Sequence, residues 1–315
     1  MNARTLGQPL DRVDGPLKVS GQARYAAEHP ADGLLHGSVI CSVIPRGRIT
    51  AIDASAALAL PGVKLVLSHL NRPPMAQDDE SYEDDDAADG SPFRPLFNER
   101  IRYSGQPVAL VVADTLELAR HAGSLVRIDY QQQPHATDLR EALSEAHAAP
   151  AELPTPRGDA DAVIAGAPLR LELEYELPCE YHHPMEPHAS TVIYQADGSL
   201  LVHDKTQGPQ NSQRYLADVL KLEPGRVRIK SSFVGGAFGS GLRPQYQLPL
   251  AAMAALKLQQ SVRVTLTRQQ MFTFGYRPRA VQHLQLGADE NGKLQGLVHE
   301  VIAQTSRFED FTEHV

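Results

Sequence analysis

The chain has 315 residues, of which 42% are apolar, and carries a formal net charge of -8 at pH 7. This length can bury a large core, and two domains are the natural expectation. The acidic balance excludes a nucleic-acid-binding role, which needs a basic face, and no stretch reaches the roughly 18 uncharged apolar residues of a membrane span.

Cysteine content and the amino terminus restrict the redox chemistry and the location of the protein. Cys41 and Cys179 are its two cysteines, so the chain has no disulfide framework and no paired cysteines for zinc or an iron–sulfur cluster. Residues 1–15 lack the apolar core of a signal peptide. A cytoplasmic location is therefore expected, although a chain can also be exported together with a partner subunit that carries a signal.

The first half of the chain alternates between strand and helix patterns. The pattern predicts strands over 34–44, 63–70, 106–113 and 127–133, and helices over 49–60 and 115–126. Such alternation indicates a compact α/β unit that ends near Pro134. The acidic run 78–90 lacks the spacing of a calcium loop, so we expect a solvated, mobile insertion.

The second half begins after a connector, residues 135–168, in which one short helix is predicted around Leu139–His147. Strands are predicted over 169–177, 226–234 and 261–268, hairpins over 190–206 and 280–305, and helices over 211–222 and 247–258.

A glycine-rich loop separates the strand pattern that ends near Gly235 from the helix pattern 247–258. Gly235–Gly241 holds four glycines in seven residues, which permits positive φ angles and a close approach of the backbone to a ligand. Outward-facing amides before a helix bind anions, so a phosphate is the favoured ligand. The alternative is a plain tight connection. A dinucleotide fingerprint is excluded because Pro244 stands where its third glycine belongs.

Gln207 also lies where a predicted strand ends and a helix begins. In a strand–helix–strand–helix succession, equivalent strand ends lie at the same edge of the sheet, so Gln207 is expected near the glycine loop. A carboxamide there can donate a hydrogen bond to an oxo or phosphate oxygen. The alternative is a solvated loop residue.

The run Cys179–His188 contains three histidines and two glutamates, which are potential zinc ligands. Pro184 and Pro187 impose an extended chain that points alternate side chains in different directions. A loop that lines a cleft or an interface is therefore favoured over a metal site, and no direct metal ligand is assigned.

Five motifs occur in an order and spacing that resemble a known family. They are 11–28, 185–190, 205–209, 233–244 and 265–272. Together they resemble the large, molybdopterin-binding subunit of the xanthine dehydrogenase and aldehyde oxidoreductase family, and most of all the three-subunit bacterial aldehyde oxidoreductases. The resemblance implies an α+β fold: an arm (1–17), an α/β-hammerhead domain (18–134), the connector (135–168) and the first, incomplete part of a mixed α/β molybdopterin-binding domain (169–315).

The resemblance also implies roles for particular residues. Gln207 matches the glutamine that hydrogen-bonds an oxygen ligand of molybdenum, and Arg268 a structural position. The family's cofactor loop matches Gly235, Gly236, Ala237, Phe238 and Gly239. Gly241 stands where the family usually carries a Lys, and Leu242 where xanthine-oxidising members carry a purine-binding Glu, so Leu242 is expected to line an apolar substrate pocket. Aldehydes or N-heteroaromatics are then favoured over xanthine.

The implied cofactor is molybdenum–molybdopterin in its cytosine dinucleotide form, with 2Fe–2S clusters and FAD on partner iron–sulfur and FAD subunits. The family's general-base Glu belongs to a C-terminal remainder of the large subunit, so no catalytic residue is assigned in this chain. The isolated chain is expected to be inactive as an enzyme. The alternatives are a non-catalytic fragment or assembly module that binds the electron-transfer subunits, and a stand-alone phosphate-binding protein.

Overall fold

The structure, a computed structural model, describes residues 7–77, 94–148 and 155–306. The predicted acidic insertion 78–90 lies outside these ranges. The α-helices of the described residues are α1 (Gly15–Val19), α2 (Ser55–Leu58), α3 (Leu116–Leu125), α4 (Ala160–Gly166), α5 (Pro209–Leu220) and α6 (Gln247–Leu258).

The β-strands of the same ranges follow in chain order. They are β1 (Leu35–Cys41), β2 (Gly47–Asp53), β3 (Val63–Ser68), β4 (Arg100–Ile101), β5 (Pro107–Ala113), β6 (Arg127–Gln132), β7 (Leu169–Leu177), β8 (Glu180–Tyr181), β9 (Ala189–Tyr194), β10 (Leu200–Asp204), β11 (Val227–Lys230), β12 (Val262–Thr265), β13 (Tyr276–Arg277), β14 (Ala280–Ala288) and β15 (Leu294–Ala303). Helices and strands are mixed, which confirms the predicted α+β class.

A seven-stranded sheet in the order β11-β10-β9-β12-β1-β5-β3 forms the centre of the structure. Strands from both halves of the sequence contribute to it, because β1 pairs in parallel with β12 through Leu35 and Val262. The central sheet therefore contains strands from both sides of the predicted domain boundary near Pro134. The assignment of domains to 18–134 and 169–315 stays a prediction.

The core lies on both faces of this sheet. Every residue of β5 is buried, as its continuous apolar sequence predicts for a strand covered on both sides. Leu110 and Val112 share one apolar cluster with α6, whereas Val111 packs in another with Ala122 of α3. The predicted helix over 247–258 is confirmed as α6, which is buried along Gln247–Ala255.

A two-stranded sheet, β13-β8, and two three-stranded sheets, in the orders β4-β2-β6 and β15-β14-β7, complete the described part of the fold. In the sheet β15-β14-β7, α4 packs where Gly287 and Gly296 leave room for Ile164. No helix of the described ranges has the length and apolar character that crossing a membrane requires.

Three element predictions are wrong in part. The helix predicted over 49–60 is the strand β2 followed by the short α2, because Ile49 and Ile52 pair with β6 and pack in an apolar cluster there. The strand predicted over 226–234 ends at Lys230, since β11 pairs with β10 alone and β10 ends near the same level. The helix predicted around Leu139–His147 is a single 3₁₀ turn over Leu143–Glu145.

The buried position of Leu110 predicts a large cost on truncation. Leu110 is 0% exposed, whereas Leu70 is 69% exposed. Leu110→Ala is expected to lower the free energy of unfolding by about 2–5 kcal/mol, and the matched control Leu70→Ala to change it by less than about 0.5 kcal/mol. Urea unfolding followed by circular dichroism measures both. Equal losses in the two variants would contradict the assignment of β5 to the core.

Candidate functional site

Parallel pairing of β10 with β11 brings two loops to one edge of the central sheet. The register runs from Leu200 opposite Val227 to His203 opposite Lys230. Gln207 follows β10, and the glycine loop Gly235–Gly241 follows β11, so both leave the sheet at the same edge. The proximity predicted from the chain order is thus observed.

Two hydrogen bonds join Gln207 to the glycine loop directly. The backbone N–H of Gln207 donates to the carbonyl of Gly241 at 2.7 Å, and the N–H of Gly241 donates to Gln207 Oε1 at 3.2 Å. The carboxamide oxygen is therefore engaged, which leaves the Nε2 donor for a ligand. A Cβ on Gly241 would lie 3.3 Å from the Gln207 backbone nitrogen, so the close approach favours glycine here.

The glycine loop presents a row of backbone amides. Gly236, Phe238 and Gly239 have φ angles of +88°, +56° and +98°. Among the described residues, none accepts a hydrogen bond from the amides of Gly236, Ala237, Phe238 or Gly239. Successive unbonded N–H groups in left-handed or turn conformations form an anion-binding concavity.

The amide of Gly235 differs from the four that follow it. It donates to Glu186 Oε2 at 2.6 Å, and the Glu186 N–H donates to the carbonyl of Gly235 at 3.1 Å. A Cβ at Gly235 would lie 2.7 Å from Glu186 Cβ. Burial raises the pKa of Glu186, and its bond to Gly235 opposes this shift. Gly235 thus anchors the start of the loop, and its amide is already used.

A buried carboxylate holds the segment that carries Gln207. Asp204 accepts from Ser190 Oγ at 2.6 Å and from Ser212 Oγ at 3.3 Å. Burial raises the pKa of Asp204 to about 6. Thr206, in the same segment, bonds to the glycine loop: its Oγ1 donates to the carbonyl of Gly241 at 3.1 Å.

A second buried polar group, missed by the sequence analysis, lies behind the loop. His188 Nε2 is 3.0 Å from Ser240 Oγ and 3.1 Å from Lys205 Nζ. Burial lowers the pKa of His188 to about 3 and that of Lys205 to about 8. Both residues belong to motifs that the sequence analysis singled out. No local pattern indicated that a lysine next to a loop would be buried.

The histidine-rich run 179–188 is divided among several environments. His182 Nδ1 lies 3.1 Å from the carbonyl of Gly275, and the ring of His183 packs 3.9 Å from that of Phe272. In the part of the chain that the structure describes, no three His, Cys, Asp or Glu side chains converge as a metal site. Arg268 donates to the carbonyls of Pro184 and Met185, which ties this run to the segment that follows β12.

The surface beside the amides is apolar. Phe238 is 76% exposed and Leu242 is 51% exposed, and Met185 is exposed on the neighbouring run. The N–H of Leu242 donates to the carbonyl of Gly239 at 3.0 Å, so the loop turns back before α6. Leu242 therefore lies next to the Gln207–Gly241 contact, where the sequence analysis expects a substrate pocket.

Comparison with known proteins identifies the family to which this chain is related. The model of the molybdopterin cofactor-binding domain matches residues 143–315, and that of the aldehyde oxidase and xanthine dehydrogenase a/b hammerhead domain matches residues 20–134. The chain belongs to the aldehyde oxidase and xanthine dehydrogenase family. It corresponds to the N-terminal portion of that family's large subunit, as the sequence analysis expected.

Individual relatives agree with this assignment. The chain is 35% identical over 302 residues to the aldehyde oxidoreductase molybdenum-binding subunit PaoC of Escherichia coli (strain K12), covering 94% of this chain and 40% of the relative. It is 26% identical to the nicotinate dehydrogenase large molybdopterin subunit of Eubacterium barkeri, covering 98% of this chain and 72% of the relative. The fold resembles that of quinoline 2-oxidoreductase from Pseudomonas putida 86, with a TM-score of 0.77 at 23% identity over 93% of this chain and 38% of that one.

The neutral, buried state of His188 predicts a pH-dependent stability. Its pKa of about 3 in the folded chain lies below the ordinary value of 6.5, so only the unfolded chain takes up a proton between these values. This contribution is complete above about pH 6.5 and is lost as the pH falls, at no more than about 1.4 kcal/mol per pH unit.

His188→Gln is expected to make stability less sensitive to acid than in the wild type. Urea unfolding at pH 7 and pH 4.5 measures how much the free energy of unfolding changes with pH in each of the two proteins. Because the variant also loses bonds at neutral pH, the change between the two pH values is compared rather than the absolute stability. Parallel slopes in wild type and variant would contradict a buried, neutral His188.

Proposed function

We propose that this chain forms one wall of the cofactor site in a molybdenum hydroxylase that oxidises aldehydes, with water as the source of oxygen. N-heteroaromatic compounds are the alternative substrate class. One observation carries the proposal: at the same edge of the sheet, neither the Nε2 donor of Gln207 nor the four consecutive amides of the neighbouring glycine loop bond to any residue that the structure describes. The family membership and the relative named as an aldehyde oxidoreductase support it.

The residues present fit an anionic cofactor that brings its own metal. Four adjacent N–H groups need acceptors and suit phosphate oxygens, and the buried Lys205 adds positive charge behind them. The neutral carboxamide of Gln207 suits an oxygen ligand of the metal, to which it donates without adding charge. When bound, the molybdenum–molybdopterin group supplies Lewis acidity and takes up two electrons.

The chain's own residues bind and orient in this proposal. The amides of Gly236, Ala237, Phe238 and Gly239 hold the phosphate-bearing tail, proposed to be the cytosine dinucleotide form. Gln207 orients an oxygen ligand through Nε2. No residue of this chain is assigned as the general base, because the expected Glu belongs to the C-terminal remainder of the large subunit.

Leu242 supports an aldehyde rather than a purine as substrate. It offers an apolar wall next to the Gln207–Gly241 contact, where a purine-binding carboxylate is expected in xanthine-oxidising relatives. A purine that loses a charged hydrogen-bond partner binds its site more weakly by about 1–3 kcal/mol. An apolar wall leaves no buried polar group unpaired when an aldehyde binds.

The proposed assembly includes other polypeptides. The chain spans 40% of the length of the Escherichia coli relative, and its two cysteines cannot hold iron–sulfur clusters. We therefore propose partner subunits that carry 2Fe–2S clusters and FAD, together with the remainder of the large subunit. The isolated chain is expected to retain little molybdenum and to oxidise no aldehyde.

A second candidate, a non-catalytic assembly module, is favoured by an uncovered apolar sheet face. Alternate residues of β7, including Leu169 and Leu171, are about half exposed, as are Leu294 and Leu297 of β15. Exposed apolar patches mark protein interaction sites. Co-purification with the iron–sulfur subunit but without molybdenum would favour this candidate.

Substitution of Gln207 tests the proposed enzyme. The chain is produced together with the remaining large-subunit polypeptide and the two electron-transfer subunits. Gln207→Met is expected to lower kcat for an aromatic aldehyde by about 10- to 100-fold, the value of a hydrogen bond to a charged group. The control Gln210→Met makes the same change at an exposed position of α5 and is expected to keep full activity. Molybdenum analysis accompanies the kinetics, and equal activity of the two variants would contradict the role of Gln207.

Substitution of Leu242 tests the proposed substrate class. Leu242→Glu introduces a carboxylate that repels apolar aldehydes and accepts hydrogen bonds from a purine. We expect kcat/KM for benzaldehyde to fall about 10-fold or more, and the ratio of xanthine to benzaldehyde turnover to rise. Leu242→Met, which keeps the wall apolar, is the control. An unchanged ratio in Leu242→Glu would remove Leu242 from the substrate pocket.

A further inference from the structure

A histidine ring contacts a buried amine and a serine hydroxyl behind the glycine loop. Lys205 is 1% exposed and His188 is 0% exposed. His188 Nε2 faces both Lys205 Nζ, at 3.1 Å, and Ser240 Oγ, at 3.0 Å. One ring nitrogen therefore lies between the segment that carries Gln207 and the loop that presents the amides.

The protonation states of Lys205 and His188 determine how these atoms bond. The pKa of Lys205, lowered by burial to about 8, leaves the amine protonated at neutral pH, and a protonated amine can only donate. The pKa of His188, lowered by burial to about 3, leaves the ring neutral with a single N–H. Nε2 must then present its lone pair to Lys205, and the ring proton must be on Nδ1.

The Nδ1–H tautomer leaves a buried N–H without a partner among the described residues, a cost that the Nε2–H tautomer avoids. His188 Nδ1 is buried and has no hydrogen-bond partner within the described ranges, and the ring meets Phe274 edge to face. With the proton on Nε2, the ring would donate to Ser240 Oγ and leave only an unpaired acceptor, which buried structure tolerates better than an unpaired N–H. The lysine is therefore what favours the Nδ1–H form.

Ser240, the other neighbour of His188 Nε2, is bonded within the glycine loop. Ser240 Oγ donates to the carbonyl of Ala237 at 2.8 Å, and the Ser240 N–H donates to the same oxygen at 3.0 Å. The C=O of Ala237 and the N–H of Phe238 belong to one trans peptide unit and point in opposite directions. Holding the carbonyl inward therefore turns the Phe238 amide outward, toward the ligand side.

We propose that Lys205 is a positioning residue, whose amine donates to His188 Nε2 and so keeps the ring in the Nδ1–H tautomer. The segment that carries Gln207 is thereby tied to the ring that lies behind the glycine loop.

Other charged groups around the amine act in both directions. Glu186 and Asp204 favour its protonated form, and Arg268 opposes it. His182 is the other titratable neighbour that acts on His188. The two carboxylates keep Lys205 protonated near neutral pH in spite of its burial, which is the state that the positioning role requires.

Nitrogen-15 NMR of the histidine-labelled 315-residue chain tests this proposal at neutral pH. Two-bond proton–nitrogen couplings show which ring nitrogen carries the proton, and the His188 signal is identified by its absence in His188→Gln. We expect Nδ1–H in the wild type and Nε2–H in Lys205→Met. Lys257→Met removes an exposed amine and is expected to leave His188 as Nδ1–H.

Two more variants separate positioning from a merely structural role. Lys205→Arg keeps a charged donor and is expected to retain Nδ1–H. Ser240→Ala removes only the hydroxyl, so His188 is expected to stay Nδ1–H because Lys205 remains. An Nε2–H ring in the wild type, or Nδ1–H in a folded Lys205→Met, would overturn the proposal. If Lys205→Met does not fold, the wild-type spectrum alone decides. The measurement needs no cofactor, so its failure is distinguishable from failure of the proposed function.

Discussion

The parallel pairing of β10 with β11 is the constraint on which the candidate site depends. It sends Gln207 and the glycine loop off the same edge of the sheet, where two hydrogen bonds join them. A slip of one residue would turn every side chain of β11 to the opposite face. Burial of Val202 and Val227 in the core prevents this slip. The apolar core therefore determines the geometry of a site that is itself polar.

Charged side chains are buried at this same edge of the sheet. Asp204 and Lys205 are adjacent in sequence and both almost fully buried, and Glu186 is partly buried against Gly235. Buried charges are costly unless they are paired and hydrogen-bonded. Here the carboxylates receive hydroxyl or amide hydrogen bonds, and the lysine donates to a histidine. Several of these bonds join separate segments of the site, so the cost of burial is linked to holding those segments together.

The sequence indicated some of these features because they have local or topological signals. The helix α6 is predicted by its apolar run, and the meeting of Gln207 with the loop follows from the order of strands and helices. Other features lack such signals. The pairing of Leu35 with Val262 joins residues that are far apart in the chain, and no local pattern specifies it. Burial of Lys205 depends on the strands that surround it, and charged residue types give no indication of this.

The glycine loop combines polar backbone with apolar side chains, and the two have different energetic roles. Backbone amides that water reaches can donate to it, so a loop of this kind loses little free energy at those positions when no ligand is bound. Exposed apolar surface cannot form hydrogen bonds with water, and covering it is favourable by roughly 25 cal/mol per Å². The large exposed area of Phe238 and Met185 thus supplies a driving force for covering this edge. The amides add direction, because only an acceptor at the right position replaces the water that they lose. Affinity from the side chains and orientation from the backbone suit a site that closes around an anionic ligand.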